Sequence, residues 1–158
     1  MNITVRKAIA ADIEKLMDIL NSATKKLLDK GVMQWEYPWD TQEVQSFITK
    51  EEFYIAEYEG VPCACFGLKP FCDNYFVPQD KTGLYWYHLA VHPDYDKLGI
   101  GYMLCRWVHD FAQENKISIY FDCWAGNNSL RNYYSFNGFE FIGEFPEEDY
   151  FISAFKSR

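Results

Sequence analysis

Polar and apolar positions along the chain alternate in two periods, and the switches between them mark the elements. Residues 2 to 7 alternate with period two, as a first strand does. From Asp12 to about Lys30, Ile13, Leu16, Met17, Leu20 and Leu27 fall on one face of a 3.6-residue helix, and Gly31 follows as a stop. Asp40-x-x-Glu43 has the form of a capping box, with Trp39 and Val44 spaced as a hydrophobic staple, so a second helix starts near Thr41. Phe53 to Tyr58 and Pro62 to Pro70 read as strands joined at Glu59-Gly60. Leu84 to Val91 is a further strand. It runs into a turn around Pro93 and Asp94 and then into a helix with Ile100, Met103, Leu104, Trp107, Val108 and Phe111 on its buried face. Ile117 to Trp124 reads as a strand and Asn128 to Asn137 as a helix ended by Gly138. Phe139 to Phe145 and Tyr150 to Lys156 form a closing antiparallel pair. The order β-α-α-β-β-β-α-β-α-β-β predicts an α/β fold of α+β character, a mixed and mostly antiparallel sheet flanked by helices on both faces.

Composition narrows this picture. A chain of 158 residues, 49% hydrophobic and 19% aromatic, is expected to form one globular domain over residues 1–158, outside the disordered range. No repeat, low-complexity segment or Gly/Ser linker divides it. No apolar run approaches ~18 residues, so no membrane span is expected. The N-terminus shows no signal-peptide core, and a cytoplasmic location is the expectation. The net charge of −8 argues against nucleic acid as a partner and suits a cationic acceptor such as an amine. The five cysteines (Cys63, Cys65, Cys72, Cys105, Cys123) have no framework spacing and read as reduced, mostly buried thiols. Cys63-x-Cys65 with His88 or His92 lacks the usual ligand spacer, so no metal is expected.

The candidate chemistry begins at Leu89–Met103, LAVHPDYDKLGIGYM. Strand, glycine turn and helix aim free backbone N–H groups and the positive end of a helix dipole at one spot, an arrangement suited to phosphate. About two dozen residues on come Asn127 and then Tyr134-x-x-x-Gly138-Phe139. Together these stretches resemble the GNAT superfamily of acetyl-CoA-dependent N-acetyltransferases, whose cofactor turn reads Gln/Arg-x-x-Gly-x-Gly/Ala. The element order fits over nearly the whole chain. The resemblance implies a GNAT-like fold and transfer of an acetyl group from acetyl-CoA, as co-substrate, to a primary amine of a small molecule or protein. It places the cofactor against Leu89, Ala90 and Val91, the turn residues Lys97, Leu98, Gly99, Ile100, Gly101 and Tyr102, and Asn127 and Tyr134. An oxyanion donor is implied at the backbone N–H near Leu89 or Ala90, and Tyr134 is implied as general acid at the cofactor sulfur. Tyr133, about 100° round the helix, reads as packing.

One departure is plain: the Gln or Arg of the turn is Asp96 here. A carboxylate ~6 Å from a phosphate charge costs roughly 3 kcal/mol at an effective dielectric of ~20, so Asp96 is expected to turn to water, with Lys97 partly offsetting it. The general base is not evident. Many relatives carry Glu or His two residues before the position of Leu89, where this chain has Tyr87, with Tyr85 two further back. A phenol with a pKa near 10 is a poor base at neutral pH, so Tyr87 is expected to hold a relaying water instead. Alternation turns His88 to the opposite face, and His92 and His109 read as turn and helix-surface residues. The resemblance also sets the connection from Gly31 to Asp40 at the acceptor pocket. Trp35, Glu36 and Tyr37 are candidates there with Tyr85, the rings to hold an ammonium and Glu36 to pair with it or act as base. Trp39 is accounted for by the staple, and Asp122 is a further acidic candidate. Asp96 and the missing strand carboxylate leave an alternative, a non-catalytic acyl-CoA-binding module of the same fold. A homodimer through the C-terminal strand pair is a further expectation by resemblance.

Overall fold

The computed structural model describes residues 3–70 and 82–157; Asn2 and Cys72, both named above, lie outside the described residues. Among the described residues, seven strands, β1 (Ile3–Lys7), β2 (Phe53–Tyr58), β3 (Val61–Pro70), β4 (Leu84–Val91), β5 (Ile119–Trp124), β6 (Glu140–Glu147) and β7 (Tyr150–Lys156), accompany four helices. These are α1 (Ile13–Asp29), α2 (Thr41–Thr49), α3 (Ile100–Asn115) and α4 (Asn128–Phe136). The strand order is β1-β2-β3-β4-β5-β7-β6. β1–β2, β2–β3, β5–β7 and β6–β7 pair antiparallel, and β4–β5 pair parallel. The fold is therefore mixed α/β with a mostly antiparallel sheet, as the sequence pattern predicts.

The chain forms two compact units, Met1–Leu68 with Tyr87–Gly101, and Lys69–Trp86 with Tyr102–Arg158. In the first unit, the apolar face of α1 (Leu16, Ile19, Leu20) meets Val44 of α2, Phe53 and Ile55 of β2 and Ala90 of β4 in one buried core. Trp39 joins this core as the staple predicts. Its indole N–H donates to Thr24 Oγ1 (2.9 Å) and its backbone N–H to Asn21 Oδ1 (2.8 Å), which ties the α1–α2 connection to α1. Asp40 caps α2, accepting from the N–H of Gln42 (2.9 Å) and not from that of Glu43 as a capping box requires. α1 ends at Gly31 with the N–H of Gly31 on Leu28 O and that of Val32 on Leu27 O, the paired bonds of a Schellman motif.

In the second unit, Tyr120, Ile152 and Ala154 form a small core with Tyr85, Ile142 and Phe145 against it. A second group of rings, Trp86, Phe121, Phe139 and Phe155, packs at 4.8–6.0 Å between ring centres, with Phe121 edge to face on Trp86 and Phe139 and stacked on Phe155. β5 starts at Ile119, two residues later than its apolar pattern, because Lys116 takes a left-handed conformation (φ 54°) that ends the approach from α3. His109, expected on a helix surface, is instead partly buried. Its ring stacks on Phe139 at 4.2 Å and its Nε2 meets Asn137 O at 2.9 Å. Cys63, Cys65, Cys105 and Cys123 are free thiols, the first three buried. Among the described residues, no helix is long and apolar enough to cross a membrane, and no group of three metal-ligating side chains converges.

Candidate functional site

The turn after β4 is built by short-range hydrogen bonds. His92 Nδ1 accepts from the N–H of Asp94 (3.2 Å), Pro93 occupies the first position of a 3-10 turn, and the N–H groups of Tyr95, Asp96 and Leu98 each reach back three residues. Gly99 then takes φ +73°, a conformation that favours glycine, with nothing within 4 Å of where a Cβ would stand. α3 begins at the next residue, anchored by the fully buried Ile100 and Leu104. Its first N–H groups have no partner within the helix, as at any helix start. The requirements of an anion cradle are met here: open backbone donors, an open approach and a helix dipole. Leu98 and Tyr102 are exposed, and so is Lys97.

Asp96 is exposed, as expected, but it is not alone there. Its carboxylate is paired with the ammonium of Lys26, near the C-terminal end of α1. A second pair, His92 Nε2 with Asp18 at 3.4 Å, joins the same helix to the same turn. The pairing arises because α1 passes the turn with its polar face. The signal was the acid itself, which needs a partner beside an anion site.

A cavity of about 420 Å³ lies against this turn, walled by Leu89, Ala90 and Val91 of β4, by Trp35, by Lys26 of α1 and Lys30 at its C-cap, and by Asp96. The structure thus brings the strand end and Trp35 to one space, whereas Glu36 and Tyr37 stand outside this wall with their side chains in solvent. Trp35 alone of the three packs inward, its ring 5.5 Å from Trp39 and 5.8 Å from His88. A second cavity of similar size, about 430 Å³, lies in the other unit beside Lys116 and Lys156. None of the motif residues lines it.

His88 is a correction to strict alternation. It takes φ +52° within β4, and its ring packs against Trp35, Trp39 and Phe47 at 5.2–5.8 Å. Tyr87, the preceding residue, also contacts Phe47 (6.0 Å), and Ala90 is buried in the same core. Neighbouring residues 87 and 88 therefore share a side, which an unbroken strand forbids. His88 is a half-buried histidine among aromatic rings.

Tyr87 is held tightly. A Cβ on Gly67 would fall 2.3 Å from its Cζ, so the phenol ring lies directly on the glycine backbone. The hydroxyl donates to Glu52 Oε1 at 2.8 Å. Burial first, and then the Glu52 carboxylate, push the phenol pKa well above its ordinary 10.0. The hydroxyl is thus a donor engaged with a carboxylate and is not poised as a base. Glu52 was missed at the sequence level, although a carboxylate next to the apolar start of β2 was there to be seen.

In the second unit, the spacing Tyr134-x-x-x-Gly138-Phe139 has a local cause. The N–H of Gly138 donates to Ser135 O and that of Phe139 to Tyr134 O, both at 3.1 Å, and Gly138 takes φ +89°. This is again a Schellman motif, closed by contact of the Phe139 and Tyr134 rings at 6.0 Å. Tyr134 is also packed edge-on to Phe121 at 4.5 Å. Burial chiefly, with the Cys105 and Cys123 thiols and Tyr133 adding to it, raises its pKa above 10.0, so the phenol keeps its proton. Burial, and after it the neighbouring Cys105 thiol, raise the Tyr133 pKa above its ordinary 10.0. Asn127 caps α4, its Oδ1 accepting from the N–H of Leu130 at 3.0 Å. Tyr85 donates to Asp122 Oδ2 at 2.8 Å. Burial raises the Asp122 pKa, the Tyr85 bond opposes that, and Glu147 adds to it.

Comparison with known proteins agrees with this fold. The model of the acetyltransferase (GNAT) family matches residues 14–139. A GNAT-family acetyltransferase from Listeria monocytogenes superposes with a TM-score of 0.80 at 19% identity, over 98% of this chain and 94% of that one. The structure of yncA from Salmonella typhimurium, solved with its cofactor acetyl-CoA, gives 0.71 at 15% identity over 100% and 94%. The ribosomal-protein-alanine N-acetyltransferase of Brucella melitensis gives 0.73 at 19% identity over 98% of each chain. A sequence comparison with curated proteins finds no significant match. With a family model spanning most of its length, this chain belongs to the acetyltransferase (GNAT) family.

Proposed function

We propose that the chain is an N-acetyltransferase that moves an acetyl group from acetyl-CoA to a primary amine by direct attack on the thioester. The observation that carries this reading is the cavity wall, in which Leu89–Val91, the stretch that the resemblance sets against the thioester, lies beside the glycine turn and Trp35. Backbone donors at Lys97–Tyr102 hold the phosphates, and acetyl-CoA supplies the activated acetyl group. A backbone N–H near Leu89 or Ala90 stabilises the oxyanion. Tyr134, kept neutral by burial, protonates the departing thiolate. With Tyr87 committed to Glu52, the amine enters after losing its proton to solvent or to an exposed carboxylate such as Glu36. Trp35 offers the ammonium form an aromatic face on arrival.

Measuring free thiol released from acetyl-CoA across a panel of small amines and lysine or N-terminal peptides tests the proposal. Amine-dependent release supports it and names the acceptor class. Tight acetyl-CoA binding with no release for any acceptor would show a binding module instead.

A further inference from the structure

Lys26, in the last turn of α1, and Lys30, at the C-cap that follows it, both line the cavity that Leu89–Val91 and Asp96 line. Lys26 is ion-paired with Asp96, the residue that stands where the resemblance expects Gln or Arg in the cofactor turn. The pair is partly open to solvent, with the two side chains 42% and 32% exposed. An ammonium has three donors, and one carboxylate does not exhaust them. The Asp18–His92 pair fastens the same helix to the same turn, which fixes where the Lys26 head sits.

We propose that Lys26 is the phosphate-binding cation of this chain, supplied from α1 and held at the glycine turn by Asp96. The inference rests on the acyl-CoA reading above. The acid at position 96 is then a positioning residue. It would repel a phosphate if left alone, but coupled to Lys26 it directs an ammonium at the space where backbone N–H groups receive the anion. Lys30, on the same cavity wall, adds a second cation just past the end of the helix. Moving the charge from turn to helix keeps the site cationic without a basic residue in the motif.

Competition binding on the full chain with acetyl-CoA and with S-acetylpantetheine, which lacks the phosphates, tests this. Lys26→Gln should weaken acetyl-CoA binding about tenfold, leave S-acetylpantetheine within about twofold, and so lower the preference between them about tenfold. Lys26→Arg should restore most of that preference. Asp96→Asn should tighten acetyl-CoA binding in the Lys26→Gln background, where the acid is unpaired, more than it does in the wild type. Equal acetyl-CoA binding by wild type and Lys26→Gln would overturn the inference. Equal loss of both ligands would also overturn it by making the lysine structural, as would a rise only in the amine KM. Failure of the wild type to bind acetyl-CoA at all would refute the acyl-CoA reading itself, a separate result.

Discussion

Replacing Tyr134 by Phe removes one oxygen and leaves the ring among its neighbours, Phe121 at 4.5 Å, Tyr133 at 5.5 Å, Phe155 at 5.7 Å and Phe139 at 6.0 Å. The Schellman turn that depends on the Tyr134 carbonyl is a backbone feature and survives the change. Packing and cofactor affinity should therefore stay within about threefold of wild type, or ~0.6 kcal/mol. The chemical step should not. Even at an ordinary phenol pKa of 10, about 0.3% of the side chain would be ionised at pH 7.5, and burial reduces this further. The wild-type group is thus almost wholly in the acid form needed to protonate a thiolate. Losing a positioned general acid lowers the rate by roughly 10²-fold or more, about 2.7 kcal/mol of transition-state stabilisation. Steady-state thiol release gives kcat, and calorimetry with acetyl-CoA gives the affinity. A kcat within threefold of wild type, or equal losses in kcat and affinity, would refute the reasoning and leave Tyr134 as a core aromatic.

Three further outcomes are expected. Gly67→Ala would set a methyl 2.3 Å from the Tyr87 Cζ, so overpacking should cost about 1–3 kcal/mol and lower Tm by roughly 2–4 °C for each kcal/mol lost; an unchanged Tm in a thermal melt would show that the ring moves freely. The pH profile of kcat/KM should rise toward the acceptor's own pKa and shift with a less basic amine, because Tyr87 is bound to Glu52; one fixed pKa across acceptors, lost in Glu36→Gln, would make Glu36 the base. Asp12, bound to Arg6 at 2.8 Å, has its pKa lowered from 3.8 chiefly by that bond. Its stabilisation is whole above pH 3.8 and is lost as pH falls through the lower folded value. Asp12→Asn should therefore narrow its stability gap from wild type in acid, and a gap that stays constant with pH in denaturant titrations would contradict this.

The elements were legible wherever a local rule decides them. β2, β4, α3 and β7 fall on the residues their periodicity marks, and Gly31 and Gly138 close their helices through bonds spanning a few residues. β6 runs past Phe145 through Pro146 to Glu147, further than its apolar pattern, as an edge strand can because it has an unpaired side. The pairings at the site were not legible. Lys26 and Asp96 are 70 residues apart in sequence, Tyr85 and Asp122 are 37 apart, and Tyr87 and Glu52 are 35 apart. No periodicity links such partners, since topology alone brings them together. The exposure of Glu36 and Tyr37 belongs to an irregular connection, where side-chain direction follows no repeat.

The left-handed residue inside β4 has a consequence for what evolution can do there. Backbone geometry at position 88 asks for glycine, and a side chain in that conformation costs about 1–3 kcal/mol. The imidazole at that position wedges between Trp35, Trp39 and Phe47, and ring contacts of this kind contribute about 0.5–1.5 kcal/mol apiece. Three of them equal or outweigh the strain, so glycine would relax the chain only by hollowing out the space the rings share. Removing the residue altogether is worse. One strand step of about 3.3 Å would draw the following turn out of reach of the Asp18 and Lys26 pairs that fasten it to α1. Position 88 should accordingly accept a changed side chain more readily than a change in chain length.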